Sequence, residues 1–140
     1  DDCYDLILVD STDPFGPQES FFTREFYGHC SRALTKSGTI VTQQESPFYP
    51  HTAKAMHRAI HRMEQLFKEV HLYQAHIPTY PAGYWLFGYA SHQFHPISDM
   101  QKEKWLENEL RLDYYNPALH HGAFALPNYV MEELKNDTHD

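Results

Sequence analysis

Cysteine is scarce in this sequence, and its placement argues against two kinds of architecture. The chain of 140 residues holds two cysteines, Cys3 and Cys30, and no CxxC pair. A disulfide framework needs several cysteines, and a thiolate zinc site needs closely spaced ones. We therefore expect two free thiols and, from them, a cytoplasmic location.

Long apolar runs and basic clusters are also missing. No stretch approaches the roughly 20 apolar residues of a transmembrane helix, and the start "DDCYDL" lacks the basic residues that open a signal peptide. Lys and Arg number 11 against 19 Asp and Glu, for a net charge of −8. Because duplex nucleic acid and anionic membranes attract clustered positive charge, we expect neither as a partner.

Glycine-rich and nucleophile motifs are absent as well. The six glycines form neither GxGxxG nor a P-loop, and no GxSxG element occurs. A glycine-rich cradle for a nucleotide would therefore lie outside these residues. The 11 histidines include His57 and His61, which are four apart on a predicted helix. This spacing can chelate zinc, but no HExxH acid or third ligand accompanies it, so we expect no metal.

Enough apolar sequence is present for a packed core, since 41% of the residues are hydrophobic. The run "YDLILVD" indicates a strand buried on both faces, and "EVHLYQAHI" and "YWLFGYAS" indicate an antiparallel hairpin. The order of elements predicts an α/β fold, the second half of a doubly wound Rossmann-like sheet with a terminal antiparallel hairpin. The predicted strands cover 4–10, 39–44, 69–77 and 84–91, and the predicted helices cover 20–34, 52–68, 98–112 and a last one from about 127.

One stretch, "DSTDPFGPQES" at 10–20, combines two acids with residues that stiffen a loop. Asp10 ends the first strand and Asp13 follows three residues later, ahead of Pro14, Gly16 and Pro17. Two adjacent carboxylates repel each other unless a proton or a cation lies between them. The alternative is that an Asp before Pro only caps a turn. A stiff loop favours a preorganised site.

Two further polar segments are expected at the same edge of the sheet. Ligands of such sheets bind beyond the carboxyl ends of the strands. "TQQES" places Gln43 and Glu45 at the second strand end, and "PTYPAG" holds Tyr80 between two prolines. A solvated strand end and ordinary packing of the tyrosine are the alternatives.

Four segments together resemble the spermidine synthases, the polyamine aminopropyltransferases. They are "YDLILVDSTDPFGPQESFF", "VTQQESPFY", "IPTYPAGYWLFGYAS" and "YYNPALHHGAFALPNYV". The resemblance implies a class I methyltransferase-like fold, with residues 1–140 as the C-terminal part of the catalytic domain. It also implies an N-terminal β-domain and a glycine-rich loop before Asp1, and the chain's abrupt start next to a strand likewise indicates a piece of a longer protein.

The resemblance implies a reaction and roles for particular residues. The family transfers the aminopropyl group of decarboxylated S-adenosylmethionine to a diamine, usually putrescine, and releases methylthioadenosine. Asp10 matches the catalytic acid, while Asp13, Gln43 and Tyr80 match positions that bind the diamine.

Three more positions, Ser11, Pro17 and Gln18, match residues beside decarboxylated S-adenosylmethionine. That compound is a co-substrate, so no cofactor is expected, and the family implies a homodimer or homotetramer. Agmatine, cadaverine or spermidine as acceptor, and a catalytically silent α/β module, are the alternatives. A methyltransferase is disfavoured because paired acids suit a cationic acceptor.

Overall fold

A computed structural model describes residues 2–11, 20–80 and 82–135. In this part of the chain four strands form one mixed sheet and five helices surround it. The strands are β1 Tyr4–Val9, β2 Leu34–Glu45, β3 Glu69–His76 and β4 Tyr84–Ser91, and the helices are α1 Arg24–Ala33, α2 Pro50–Glu64, α3 Lys102–Glu107, α4 Pro117–Ala123 and α5 Asn128–Lys135.

The strand order of the sheet is β1-β2-β4-β3. β1 and β2 are parallel, whereas β4 is antiparallel to both of its neighbours, β2 and β3. Strands β1, β2 and β3 therefore run the same way and end at one common edge, which we call the rim. The α/β prediction with its antiparallel hairpin is confirmed.

Helices α1 and α2 cover one face of the sheet and make the core with it. The apolar stripe predicted for the second helix is confirmed, because Met56, Ile60, Met63 and Phe67 are all buried. The helix itself ends at Glu64 rather than near Lys68, and Phe67 packs from the turn that follows. None of the helices in the described part of the chain combines the length and apolar character that crossing a membrane requires.

Strand β1 differs from its prediction as a strand buried on both faces. Ile7 and Val9 pack against the core, but Tyr4, Leu6 and Leu8 are exposed, Leu8 to 67%. The reason is that β1 lies at the sheet edge, and among the described residues only β2 pairs with it. The alternation of side chains then leaves one apolar row uncovered.

The ends of the first helix are also corrected. Thr23, not Ser20, is the N-cap, since its hydroxyl accepts a hydrogen bond from the Phe26 amide at 3.2 Å. The helix passes directly into β2 at Leu34, so Gly38 lies within a strand and not past a helix end. A Cβ on Gly38 would stand 2.8 Å from Leu34 Cδ2, which explains a glycine there.

The C-terminal segment holds two further differences. The capping box predicted from Ser98 and Gln101 does not form, and α3 is limited to six residues because it buries none of its side chains. The region expected to be irregular contains α4, whose start is set by Asn116 as N-cap and Pro117 as first residue. Phe124, which follows α4, packs against Tyr73 of β3 at 5.4 Å between ring centroids and helps cover the second face of the sheet.

Candidate active site at the rim of the sheet

The rim carries Asp10 and Gln43, two of the polar residues predicted for it. Val9 and Thr42 are the last pair between β1 and β2, so Asp10 and Gln43 are the next residue on each strand. Leu8 pairs with Val41, and side chains alternate along strands, which places Asp10 and Gln43 on the same face of the sheet. Asp10 is exposed to solvent, whereas Gln43 is buried, with only 6% of its surface exposed.

The β4 strand adds an aromatic residue to that face. Gln43 pairs with Phe87, and Trp85 lies two residues from Phe87 on the same side. Trp85 is only 8% exposed, and its Nε1 has no hydrogen-bond partner among the described residues. A buried donor without a partner costs free energy in the folded chain. This atom is therefore suited to bind an acceptor group on a ligand.

Tyr80 is held over Trp85 by the loop at 77–83. The ring centroids of the two residues are 4.6 Å apart with an interplanar angle of 56°. The loop is closed by backbone hydrogen bonds from Ile77 N to Gly83 O at 2.8 Å and from Gly83 N to Tyr80 O at 3.0 Å. Ala82 and Gly83 both have φ of 67°. The left-handed conformation is strained for alanine and easy for glycine, so this tight loop fixes the position of Tyr80.

The end of β2 is irregular where it meets the rim. The register with β4 shifts between Gln43 and Glu45, and Glu45 has a φ of 70°. A bulge of this kind re-aims side chains next to a site. Several polar residues are buried here, and their contacts include Gln44 Nε2 donating to Thr42 Oγ1 at 2.6 Å and Thr52 Oγ1 donating to Ser46 O at 2.6 Å.

A cavity of about 370 Å³ opens beside Asp10. Ser11 lies in its wall and is buried, and the rings of Phe21 and Phe26 meet there edge to face at 5.3 Å. Cys30 is also in the wall, and burial raises the pKa of its thiol, which keeps it protonated. The cavity thus offers aromatic surface on the side of β1 that faces α1.

A second aromatic group borders the rim at the start of β4. Phe48 lies 5.6 Å from Tyr84 and 5.8 Å from Tyr129, measured between ring centroids. Burial raises the pKa of the Tyr84 hydroxyl far above its usual range, and the neighbouring Tyr129 adds to the shift. Tyr84 is therefore neutral at physiological pH.

Four of the seven residues predicted for the site lie in the described part of the chain, each at or beyond the carboxyl end of a strand. Asp10 and Ser11 lie at the end of β1, Gln43 at the end of β2, and Tyr80 beyond the end of β3. Asp13, Pro17 and Gln18 lie outside the described residues. Trp85 was not among the predicted site residues, although its place two residues after the "PAG" of the Tyr80 loop indicates a rim position.

Comparison with known proteins identifies relatives of the sequence. The spermine/spermidine synthase domain matches residues 1–102. A polyamine aminopropyltransferase of Alkaliphilus oremlandii is 55% identical over 134 residues, which are 96% of this chain and 47% of that protein. One from Clostridium perfringens is 56% identical over 133 residues, or 95% of this chain and 47% of that protein. The chain spans about half the length of these curated relatives.

Solved structures give the same result for the fold. A spermidine synthase in complex with the transition-state analogue AdoDATO superposes with a TM-score of 0.88 at 37% identity, covering 95% of this chain and 45% of that one. The spermidine synthase of Thermotoga maritima gives a TM-score of 0.85 at 37% identity, covering 95% and 44%. Because the matched residues 1–102 include the whole sheet and its rim, this chain belongs to the spermine/spermidine synthase family, the polyamine aminopropyltransferases.

Proposed function

We propose that this chain forms the amine-binding part of an enzyme that transfers an aminopropyl group from decarboxylated S-adenosylmethionine to putrescine. The products are spermidine and methylthioadenosine. The observation that supports this proposal best is the placement of Asp10, Gln43 and Trp85 on one face at the rim, with Tyr80 packed on Trp85. These side chains come from three strand ends and one loop, and the family relationship supplies the reaction class.

Asp10 is the residue assigned to proton transfer. A primary amine has a pKa of roughly 10, so in neutral water it is protonated and has no lone pair for attack. A carboxylate that accepts the ammonium proton frees the nitrogen and aims it. The nitrogen then forms a bond to the aminopropyl carbon while the bond from that carbon to sulfur breaks. The electron pair goes to sulfur, which leaves as a neutral thioether, so the leaving group needs no acid.

Gln43, Tyr80 and Asp13 are assigned to holding the diamine. Gln43 offers an amide oxygen to an ammonium group, and its burial makes that hydrogen bond stronger than in water. Tyr80 is 38% exposed and presents both a ring face and a hydroxyl. Asp13 supplies a second negative charge for a dicationic substrate, a role that rests on the sequence resemblance.

The cavity between Asp10 and Phe26 is proposed for the adenosine side of decarboxylated S-adenosylmethionine. Its aromatic walls suit a purine, and Ser11 supplies a hydroxyl in the same wall. Pro17 and Gln18 are assigned to the same ligand by resemblance. This arrangement puts the donor on the α1 side of Asp10 and the diamine on the rim side, so that Asp10 lies between them.

Oligomeric state and location complete the proposal. A homodimer or homotetramer in the cytoplasm is typical of the family. The exposed apolar row of Tyr4, Leu6 and Leu8 supports further burial of β1 in the assembled protein.

One assay separates the proposal from its alternatives. The intact protein is incubated with decarboxylated S-adenosylmethionine and putrescine, agmatine, cadaverine or spermidine in turn, and methylthioadenosine and the amine product are measured by mass spectrometry. We expect the highest kcat/KM with putrescine. A higher value with another amine would reassign the acceptor, and no methylthioadenosine with any amine would leave the silent module as the explanation.

A further inference from the structure

A second cluster of reactive side chains lies at the far end of the sheet from the rim. Glu69 and His71 are two residues apart on β3, so both side chains project from the same face. They are partly buried, with side-chain exposures of 21% and 29%, and His71 Nε2 lies 3.0 Å from Glu69 Oε2. Glu69 pairs with Ser91, the last residue of β4, which confirms the position at the opposite end.

His95 joins this pair from the segment that follows β4. Its ring centroid lies 4.5 Å from that of His71. The segment is held by the Tyr89 hydroxyl, which donates to Phe94 O at 2.8 Å, and by the Asp99 carboxylate, which accepts from the His95 amide at 2.8 Å. His95 is therefore placed over β3 by contacts that do not involve the cluster itself.

The three side chains form a ligand set for a transition metal. One ligand atom from each of Glu69, His71 and His95 lies within 4.8 Å of the other two. In a tetrahedral zinc site, bonds of roughly 2.0–2.2 Å put neighbouring ligand atoms about 3.3 Å apart, so rotamer adjustments suffice to close the set. We propose that Glu69, His71 and His95 bind a divalent transition-metal ion of the zinc class.

The surroundings of the cluster leave room for a further ligand. A cavity of about 430 Å³ adjoins His71 and His95, and its lining also includes His57, His61 and Glu64 of α2. Two histidines and one glutamate with an open position constitute a known zinc arrangement. A water molecule would complete the coordination.

The position of the site defines its role. At about 3.3 Å per residue, the five steps from His71 to His76 at the rim end of β3 span roughly 17 Å. The ion is therefore remote from Asp10 and Tyr80, and its effect is to fasten the segment after β4 to the edge strand β3. Metal binding then raises thermal stability, and the inference does not depend on the proposed aminopropyl transfer.

The hydrogen bonds of His95 supply a specific spectroscopic readout. Its Nδ1 accepts from the amides of Ile97 and Ser98 at 3.1 and 3.2 Å. A neutral ring that accepts at Nδ1 carries its proton on Nε2. An ion that binds Nε2 moves the ring proton to Nδ1, and an ion that binds Nδ1 takes its lone pair, so in either case the two amides lose their acceptor. We expect these two amide resonances to shift when the metal binds.

The test is a zinc titration of the intact protein by calorimetry, with circular dichroism as a check of folding. We expect one ion per chain and a higher Tm. Affinity should fall at least tenfold in each of Glu69→Gln, His71→Ala and His95→Ala. His76→Ala is the matched control, because His76 is exposed on the same strand and outside the cluster, and it should bind as the wild type does.

A second measurement needs no substitution. In nitrogen-15 NMR spectra of the wild-type protein, zinc should shift the ring-nitrogen resonances of His71 and His95. It should also shift the backbone amide resonances of Ile97 and Ser98. Three results would overturn the proposal: no binding, unchanged affinity in His71→Ala, or perturbation limited to His57 and His61. The last result would place the ion on α2.

Discussion

The ring of Tyr80 lies against the indole of Trp85, with centroids 4.6 Å apart. Tyr80 follows β3 and Trp85 belongs to β4, so this contact draws the loop after β3 toward β2 and Gln43. Trp85 is thereby both a support for Tyr80 and a wall of the candidate amine site.

Replacing Trp85 by phenylalanine tests the unpartnered indole N–H. Trp85→Phe keeps aromatic surface for Tyr80 and removes Nε1. A protonated amine has no lone pair to accept from Nε1, so the acceptor would lie on decarboxylated S-adenosylmethionine. Since one hydrogen bond contributes roughly 0.5–1.5 kcal/mol, we expect the KM for that substrate to rise about two- to twelvefold with a smaller change in kcat. Trp105→Phe is the control, because Trp105 packs on Tyr115, whereas Trp85 packs on Tyr80. Equal steady-state kinetics for both variants would remove Nε1 from substrate binding.

Asp10→Asn in the intact protein should lower kcat far more than it changes the KM for the amine. Asparagine keeps the shape of the side chain but is a very poor proton acceptor. Loss of a general base typically costs about 100- to 10,000-fold in rate. The control is Asp5→Asn on the same strand, where the side chain accepts a hydrogen bond from the Thr35 hydroxyl at 3.0 Å. A kcat within threefold of wild type for Asp10→Asn contradicts the assignment.

Asp13→Asn should act mainly on binding of the diamine. Its assigned role is charge pairing, and a hydrogen bond to a charged group contributes roughly 1.5–3 kcal/mol, which corresponds to about a ten- to hundredfold higher KM for putrescine. Initial rates over a range of putrescine concentrations measure this. An unchanged KM with a collapsed kcat would exchange the roles of the two acids.

Tyr73 should make folding stability sensitive to alkaline pH. Burial raises the pKa of its hydroxyl to about 12 from 10.0. The unfolded chain ionises near pH 10 while the folded chain keeps the proton, so the contribution is fully present below pH 10 and is lost as the pH rises toward 12. Two pKa units correspond to roughly 3 kcal/mol at most. Urea unfolding at pH 9 and 11.5 should show a smaller loss for Tyr73→Phe than for wild type, and no such difference for the exposed Tyr4→Phe.

Residues 1–140 alone should neither turn over substrate nor bind decarboxylated S-adenosylmethionine. The adenosine site of this fold draws on a glycine-rich turn, and none occurs in these residues. The exposed side chains of β1 should also drive self-association. Sedimentation should show oligomers that become smaller in a Leu6→Lys, Leu8→Lys variant. Turnover by a monomer would show that the donor binds elsewhere.

Local patterns predicted well those elements that bury one clear face. The spacing of Met56, Ile60 and Met63 identified α2, and the polar residues after each apolar run identified the rim. Failures occurred where a long-range contact decides the outcome. The sequence of β1 predicts a fully buried strand because residues on both of its faces are apolar. Its actual exposure depends on which elements pair with it and cover it. The capping pattern at Ser98 fails because α3 buries no side chain.

The site shows the same division. The positions of Asp10, Gln43 and Tyr80 could be predicted because Asp10 follows β1, Gln43 lies near the end of β2 and Tyr80 lies in the loop after β3. The contact between Tyr80 and Trp85 and the approach of His95 to His71 depend on how two turns fold back, and no periodicity reports that. Asn116 followed by Pro117 is a typical helix start, but the surrounding sequence predicted an irregular region and α4 was missed.

The insertion of β4 between β2 and β3 has a consequence for how acceptor preference can be changed. The loop at 77–83 leaves the sheet from β3 and re-enters it on the adjacent strand at the same edge, and Ile77 and Gly83 are joined across its base. Both ends of this loop are therefore held by the hydrogen-bonded pair β3 and β4. Exchanging this segment between relatives would change the loop that carries Tyr80 and leave Asp10 and Gln43, on β1 and β2, in place.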